Sequence, residues 1–219
     1  MVKLKHNDVV VFFGDSITKG FFGSNYINAL KKLVAGRPDV DGFHFINAGR
    51  DGDMIDDLLL RVETDVVCEA PNWVVVLVGI NDIFYDAVML SGPAPQNPTR
   101  ESSLYDHMVK PFIDSYSNLV DALVDGGTKV AICTTTGVEG DIGIGLREKL
   151  ALVNDAIRSL AESKQVELID VHEAFKEHRA RLQKAGNVPE HVLTVDGVHL
   201  SKEGARIVAE QVFEFFFSD

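Results

Sequence analysis

Short apolar runs alternate with longer segments of mixed polarity along most of this chain of 219 residues. Five of the runs have the length of a β-strand and are mostly apolar throughout. That pattern is typical of parallel strands that are covered on both faces. The predicted strands span residues 9–13, 43–46, 73–78, 129–134 and 166–169.

The segments between the predicted strands space their apolar residues as a helix does. Helices are predicted at about 26–35, 54–67, 105–124, 147–163, 171–184 and 202–217. In the fourth of these, one apolar stripe is formed by Leu146, Leu150, Val153, Ile157 and Leu160. The alternation of strand and helix predicts an α/β fold, with a parallel sheet and helices on both sides.

Two segments interrupt this pattern. Residues 91–99 contain three prolines and a glycine, which predicts a loop that could form one wall of a substrate cleft. Residues 137–145 are rich in glycine and predict a flexible loop. This second loop lacks the lysine and hydroxyl residue that end a phosphate-binding loop, so we do not expect nucleotide binding there.

The composition is that of an ordinary globular protein, and the length suits a single domain, residues 1–219. A formal net charge of −12 argues against nucleic acid as a partner. No run is long enough to span a membrane, and no signal-peptide segment is recognised at the start. We therefore expect a cytoplasmic protein, or a secreted one if a signal peptide has been removed. Cys68 and Cys133 are expected to be buried free thiols.

Four polar turns carry the residue types of nucleophilic catalysis. Ser16 lies in the segment GDSIT at 14–18, directly after the first predicted strand, and Gly49 ends the segment NAG at 47–49. Asn81 lies in GIND at 79–82, while His199 follows Asp196 by three positions in DGVHL at 196–200. A hydroxyl, an imidazole and a carboxylate are the groups that acyl transfer requires. Because functional groups gather at the carboxyl ends of parallel strands, these turns predict a hydrolase site.

Other polar residues receive a structural interpretation. Asp15 and Asp82 are expected to fix turns through backbone N–H groups rather than to act as acids or bases. A group of histidines is expected at the surface or at helix ends, and offers no spacing from which a metal site could be built: His44, His107, His172, His178 and His191. No metal and no cofactor are expected.

With these four segments in this order, the chain resembles the SGNH hydrolases, also called GDSL esterases and lipases. The resemblance extends from Val9 to the last predicted helix, and the first segment has isoleucine where the family name has leucine. It implies a flavodoxin-like, three-layer αβα sandwich with a five-stranded parallel sheet. It also implies hydrolysis of carboxylic esters without metal or cofactor.

The resemblance further implies a role for each motif residue. Ser16 would be the nucleophile, His199 the base that takes and returns its proton, and Asp196 the carboxylate that orients the imidazole. The oxyanion would be held by the backbone N–H groups of Ser16 and Gly49 and by the side-chain amide of Asn81.

Several functions remain open at this point. A serine esterase that cleaves short acyl or O-acetyl esters through an acyl-enzyme is the first hypothesis. Carbohydrate O-acetylesterase, lysophospholipase and thioesterase activities are alternatives within that class. A non-catalytic flavodoxin-like binding domain is the alternative of another class. The expected partner is a small-molecule ester, and a homo-oligomer is left open.

Overall fold

The computed structural model describes residues 2–37, 42–89, 105–140, 142–186 and 189–218, with the backbone alone described at 86–89 and 142–145. Within these ranges five strands form one sheet in the order β2-β1-β3-β4-β5, with every neighbouring pair parallel. The predicted five-stranded parallel sheet is thereby confirmed. The strands are β1 (Val9–Gly14), β2 (His44–Gly49), β3 (Trp73–Leu77), β4 (Lys129–Cys133) and β5 (Glu167–Ile169).

Helices cover both faces of this sheet. A 3₁₀ turn (Val67–Glu69) and a π-helical turn (Tyr105–Val109) accompany them. The helices are α1 (Ser16–Lys19), α2 (Tyr26–Ala35), α3 (Ile55–Asp65), α4 (Ile80–Met89), α5 (Lys110–Asp125), α6 (Ile142–Lys164), α7 (Val171–Lys184) and α8 (Lys202–Phe217). Helix α8 packs between α2 and α7, and α5 packs between α3 and α6. These two helical groups with the sheet between them confirm the predicted three-layer sandwich.

The central strands are buried on both faces, which explains why their sequences are apolar without alternation. Residues 10–13 of β1 and all of β3 lie in the core. At their carboxyl ends Gly14 pairs with Gly49 on one side and with Leu77 on the other. The turns that follow these three residues therefore leave the sheet at neighbouring points of one edge.

The structure departs from the sequence-based expectations in a few places. Helices α1 and α4 were not predicted, and α6 begins at Ile142, inside the segment expected to be a flexible loop. Cys133 is buried as expected, but Cys68 is exposed, because it lies on the 3₁₀ turn, where its Sγ donates to the carbonyl of Thr64 at 2.7 Å. The predicted loop at 91–99 lies outside the described residues.

Candidate active site

Ser16 is the first residue of α1, two positions after β1 ends. Asp15 caps this helix, since its Oδ1 accepts a hydrogen bond from the backbone N–H of Ile17 at 2.9 Å. A Cβ on Gly14 would lie 2.1 Å from the carbonyl oxygen of Leu77. Glycine therefore lets the end of β1 run close to the end of β3, and the next turn places the Ser16 hydroxyl at the edge of the sheet.

Asp15 itself is only 1% exposed. Burial, reinforced by the neighbouring carboxylates of Asp82 and Asp53, raises the pKa of its carboxyl to about 7. Its hydrogen bond from the N–H of Ile17 fixes the turn on which Ser16 lies. The geometry matches the structural role expected for this residue.

A tight loop at residues 193–201, here called the histidine loop, carries His199. The backbone N–H of Val195 donates to the carbonyl of His199 at 2.8 Å, and that of Ser201 donates to the carbonyl of Leu193 at 2.9 Å. The two sides of the loop are thus bonded to each other like a short hairpin. Ser201 then caps α8, because its Oγ accepts the N–H of Gly204 at 3.1 Å.

The histidine loop brings His199 to Ser16, which lies 183 positions earlier, with Nε2 and Oγ 3.1 Å apart. On the other side of the ring, Nδ1 is 2.7 Å from Oδ2 of Asp196. Oδ1 of Asp196 accepts the backbone N–H groups of Val198 at 3.0 Å and His199 at 2.8 Å. This carboxylate therefore holds both the ring and the backbone of the histidine.

Asp196 is ionised in this arrangement. Burial opposes its charge, but the hydrogen bonds from the His199 ring and from two backbone N–H groups outweigh burial and hold the pKa of the carboxyl below its usual range. An ionised carboxylate can only accept hydrogen bonds, so Nδ1 of His199 carries the proton. Nε2 is then free to accept the hydroxyl proton of Ser16.

Asn81 lies in the first turn of α4, where its Nδ2 donates to the backbone carbonyl of Asp53 at 2.9 Å. An amide nitrogen has two protons, so this bond fixes the side chain and leaves one donor available. The next residue, Asp82, accepts the N–H of Ile55 at 3.2 Å and so ties α4 to the start of α3. Burial raises the pKa of Asp82 to about 6.

Gly49 does not fit the role expected for it. Its backbone N–H donates to Oδ1 of Asn47 at 2.9 Å, and so is not free to meet a substrate oxygen. A Cβ at this position would lie 2.2 Å from the backbone nitrogen of Lys19. The glycine is required here because α1 packs directly on the end of β2.

Gly52 is the glycine of this turn with a free donor. Its φ of +79° suits glycine, and a Cβ there would meet no atom within 4 Å. Within the described part of the chain no acceptor takes its N–H. It also precedes Asp53, the residue whose carbonyl receives Asn81. The positive φ distinguishes Gly52 from Gly49, the glycine of the NAG segment.

Arg61 is a buried residue of the site that the sequence analysis missed. Its guanidinium donates to Asp53 at 2.6 Å, to the carbonyl of Ala48 at 2.9 Å and to the carbonyl of Gly14 at 2.9 Å. It therefore ties the ends of β1 and β2 to the turn that carries Gly52. The sequence feature that could have revealed Arg61 is its position on the otherwise apolar face of α3.

Two phenylalanines border the site on a loop at residues 20–24, here called the phenylalanine loop. The Phe22 ring lies nearly perpendicular to the His199 ring, with 5.1 Å between centroids. Phe21 is 86% exposed and Phe22 57%. The loop is bonded at both ends, because the N–H of Gly20 donates to the carbonyl of Ser16 and the N–H of Ser24 to that of Leu200. An apolar surface is thus fixed beside the catalytic candidates.

A cavity of about 320 Å³ lies near Asn81. Asp82 and Met54, which follow Asn81 and Asp53 in sequence, both line it. Its wall combines carboxylates with aromatic side chains, including Asp56, Asp82, Tyr85, His107 and Phe112. Such a wall disfavours an anionic ligand group.

Among the described residues, no group of three or more histidine, cysteine, aspartate or glutamate side chains is arranged to hold a metal ion. None of the helices in the described ranges is both long and apolar enough to cross a membrane.

Comparison with known proteins gives a consistent result. Residues 12–207 match the model of the GDSL-like lipase/acylhydrolase family. An acetylxylan esterase of Geobacillus stearothermophilus is 25% identical over 95% of this chain and 93% of its own length. The lipoprotein YqeF of Bacillus subtilis is 25% identical over 93% of this chain and 87% of its own. The crystal structure of the acetyl xylan esterase AlAXEase superposes with a TM-score of 0.77 at 28% identity, covering 95% of this chain and all of that one.

Proposed function

The chain belongs to the GDSL-like lipase/acylhydrolase family and is a carboxylic-ester hydrolase, and from this premise we propose that it removes acetyl groups from hydroxyls of carbohydrate chains by serine catalysis. The observation that carries the serine mechanism is the chain of contacts from Ser16 through His199 to Asp196, at 3.1 and 2.7 Å. The carbohydrate substrate is supported by the acetylxylan esterases among the relatives.

The proposed reaction proceeds in two halves. In the first, Oγ of Ser16 attacks the ester carbonyl carbon while Nε2 of His199 takes the hydroxyl proton. The bond to the alcohol oxygen then breaks, and His199 gives that proton to the leaving alcohol. In the second half, water attacks the acetyl-serine with His199 as base, and acetate leaves as Ser16 regains its proton.

The negative oxygen of each tetrahedral intermediate requires donors that are already in place. We assign the backbone N–H of Ser16, the backbone N–H of Gly52 and the second amide proton of Asn81 to this task. Gly52 replaces Gly49 in this assignment because the Gly49 N–H is bonded to Asn47. Asp53, the neighbour of Gly52, accepts Asn81 at its carbonyl and Arg61 at its carboxylate. These bonds hold the Asn81 amide and the Gly52 N–H in fixed positions relative to each other.

An uncharged sugar chain suits the surroundings of the site. Phe21 and Phe22 offer an exposed apolar surface next to His199, and exposed apolar patches beside a cleft commonly bind ligands. The net charge of −12 and the carboxylates of the nearby cavity disfavour anionic headgroups. Carbohydrate esters are therefore favoured over lysophospholipids and acyl-coenzyme A.

The serine mechanism is tested with a serine-directed organophosphate. We expect the native protein to be labelled and to hydrolyse p-nitrophenyl acetate, and Ser16→Ala to lose both properties. His199→Ala should abolish turnover while the protein stays folded. Ser159→Ala, which removes an exposed hydroxyl from α6, is the matched control and should behave as the native protein. Labelling that persists in Ser16→Ala would refute the proposal.

The substrate class is tested by comparing kcat/KM for acetylated xylooligosaccharides, p-nitrophenyl acetate, lysophosphatidylcholine and a short acyl-coenzyme A thioester. We expect kcat/KM to be highest for the sugar acetates. A preference for the lipid or the thioester would leave the serine mechanism standing and reject the carbohydrate substrate. The single domain 1–219, the cytoplasmic location and a homo-oligomer stay predictions.

A further inference from the structure

Glu139 lies in the loop that follows β4, remote in sequence from every motif of the site. Its side chain is 1% exposed, and a carboxylate at that depth is costly unless hydrogen-bonded donors surround it. Every donor that surrounds it comes from the histidine loop, from the residue just before that loop or from α7.

One carboxylate oxygen holds the start of the histidine loop. Oε2 of Glu139 accepts the successive backbone N–H groups of Val192 at 3.0 Å, Leu193 at 2.8 Å and Thr194 at 2.8 Å. The hydroxyl of Thr194 donates to the same oxygen at 2.9 Å. Three consecutive N–H groups can point at one oxygen only when their backbone is curved around it, so Glu139 fixes the conformation of this stretch.

A second set of contacts reaches the catalytic part of the loop. The backbone N–H of Glu139 donates to the carbonyl of Gly197 at 2.9 Å, and the N–H of Gly197 donates to Oγ1 of Thr194 at 3.2 Å. Gly197 is the neighbour of Asp196 and lies two positions before His199. Glu139 thus holds the loop on both sides of Asp196.

The remaining oxygen of Glu139 is bound by the body of the protein. Arg179 of α7 donates from Nη1 to Oε1 and forms an ion pair. Arg179 is 30% exposed, so the pair has one buried and one partly solvated member. The ion pair connects the histidine loop, through Glu139, to a helix that packs against α8.

We propose that Glu139 is a positioning residue for the reaction, which holds the histidine loop so that Asp196 and His199 meet Ser16. The inference rests on the proposed serine mechanism. Displacement of reacting groups by about 1 Å can lower a rate about 100-fold, and the Ser16 to His199 contact is made entirely through this loop. Loss of Glu139 therefore lowers kcat much more than it changes KM.

The test compares Glu139→Ala, Glu139→Gln and Arg179→Met with the native protein. Glu177→Gln is the matched control, because Glu177 also pairs with an arginine of α7 but at the surface. Three quantities are measured: kcat and KM for p-nitrophenyl acetate, hydrogen exchange of the amides at 192–199, and the unfolding temperature. Folded fractions are checked first by circular dichroism, well below the unfolding temperature.

We expect Glu139→Ala to lower kcat about 10- to 100-fold, with a smaller change in KM and faster exchange at 192–199. Glu139→Gln keeps a carbonyl oxygen that can accept the same N–H groups, so it should recover part of both losses. Glu177→Gln should match the native protein. If Glu139→Ala does not fold, Glu139→Gln and Arg179→Met are compared with the native protein instead, by kcat and by amide exchange at 192–199.

Both the lower kcat and the faster amide exchange at 192–199 must be observed. A native kcat in the folded variants, or amide exchange at 192–199 equal to that of the native protein, would overturn the positioning role of Glu139. If the native protein itself hydrolyses no ester, the proposed function fails. Exchange at 192–199 then still reports whether Glu139 fixes the loop.

Discussion

A donor that is already hydrogen-bonded within the protein cannot also bind a substrate oxygen. The existing hydrogen bonds therefore determine which groups of the site are available to a substrate. The N–H of Gly49 is bonded to Asn47, and one amide proton of Asn81 is bonded to Asp53. Among the described residues, no acceptor takes the N–H of Ser16. Asn81 is therefore held in place by one proton while the other stays available, which makes its side chain the donor that mutation can remove most cleanly.

We expect Asn81→Ala to lower kcat about 100- to 1,000-fold, because a donor to the oxyanion acts mainly in the transition state. KM should change much less. Steady-state kinetics with p-nitrophenyl acetate provide the measurement, and Asn118→Ala, on the exposed side of α5, is the control. A rise in KM at unchanged kcat would show that Asn81 binds the ground state instead.

Phe21 is the residue that should separate large substrates from small ones. Its side chain is 86% exposed, so replacing it with serine removes apolar contact surface without opening the core. We expect Phe21→Ser to raise KM for an acetylated xylooligosaccharide several-fold and to leave p-nitrophenyl acetate hydrolysis unchanged. Leu60→Ser, equally exposed on α3 at 85%, controls for general loss of surface hydrophobicity. Equal effects on both substrates would exclude a sugar-binding role.

The proximity of Ser16, Asp196 and His199 could be predicted from the sequence because each lies in a short local segment. Asp196 and His199 are three positions apart and share one turn, and Ser16 follows a strand directly. The role expected for Gly49 is not supported, because its N–H is bonded to Asn47, and its lack of a side chain serves packing against Lys19. Arg61 and Glu139 were missed because contacts that define their roles reach far along the chain. Arg61 bonds Gly14 across 47 positions, and Glu139 bonds residues 192–194 across 53–55 positions; no local pattern encodes such contacts.

Among the secondary-structure elements, the close packing of α8 against the histidine loop depends on one glycine. Gly204 lies in the first turn of α8, and a Cβ there would be 2.0 Å from the carbonyl oxygen of Leu193. The helix can therefore approach the base of the loop only if this side chain is absent. The position of α8 and the position of His199 are coupled through this contact.

Gly204→Ala is expected to destabilise the protein and to reduce activity, although alanine normally favours a helix over glycine by about 1 kcal/mol. The added methyl group forces α8 and the loop apart, which separates His199 from Ser16. Denaturant unfolding and kcat are measured side by side. Gly126→Ala, at the end of α5 with φ −69°, is the control and should be nearly neutral. A stabilised, fully active Gly204→Ala would contradict this coupling.

All five strands and most of the periodic helices were predicted well, whereas the helices that follow β1 and β3, α1 and α4, were not. Helices α2, α7 and α8 have the predicted bounds, because each has enough turns for an apolar face to be recognised. Helix α1 has only four residues, too few for any period, and is created by the Asp15 cap and by packing on β2. The apolar start of α4 continues the apolar run of β3, so the sequence gives no contrast between them.

For the whole molecule, stability should depend on the ionisation of Asp15. In the unfolded chain this carboxyl loses its proton near pH 4, whereas burial keeps it protonated up to about pH 7 in the folded protein. The folded state thus binds more protons between these values. The resulting stabilisation is complete below pH 4 and is lost as the pH rises to 7.

Asp15→Asn removes this dependence, and its amide oxygen can still cap α1. Relative to the native protein, the variant should gain about 4 kcal/mol of unfolding free energy between pH 4 and pH 8. Urea unfolding at several pH values measures the difference. Asp51→Asn, an exposed carboxyl, should show no comparable gain. Parallel curves for Asp15→Asn and the native protein would refute the assignment.

The contact between Ser16 and His199 also has a consequence for biosynthesis. A ribosome completes the proposed nucleophile among the first residues and supplies its proposed base 183 positions later. Nascent chains that stop anywhere in between carry Ser16 without His199 beside it. If Ser16 and His199 act as proposed, hydrolysis begins only after the histidine loop has left the exit tunnel, and prematurely terminated products should be inert toward esters.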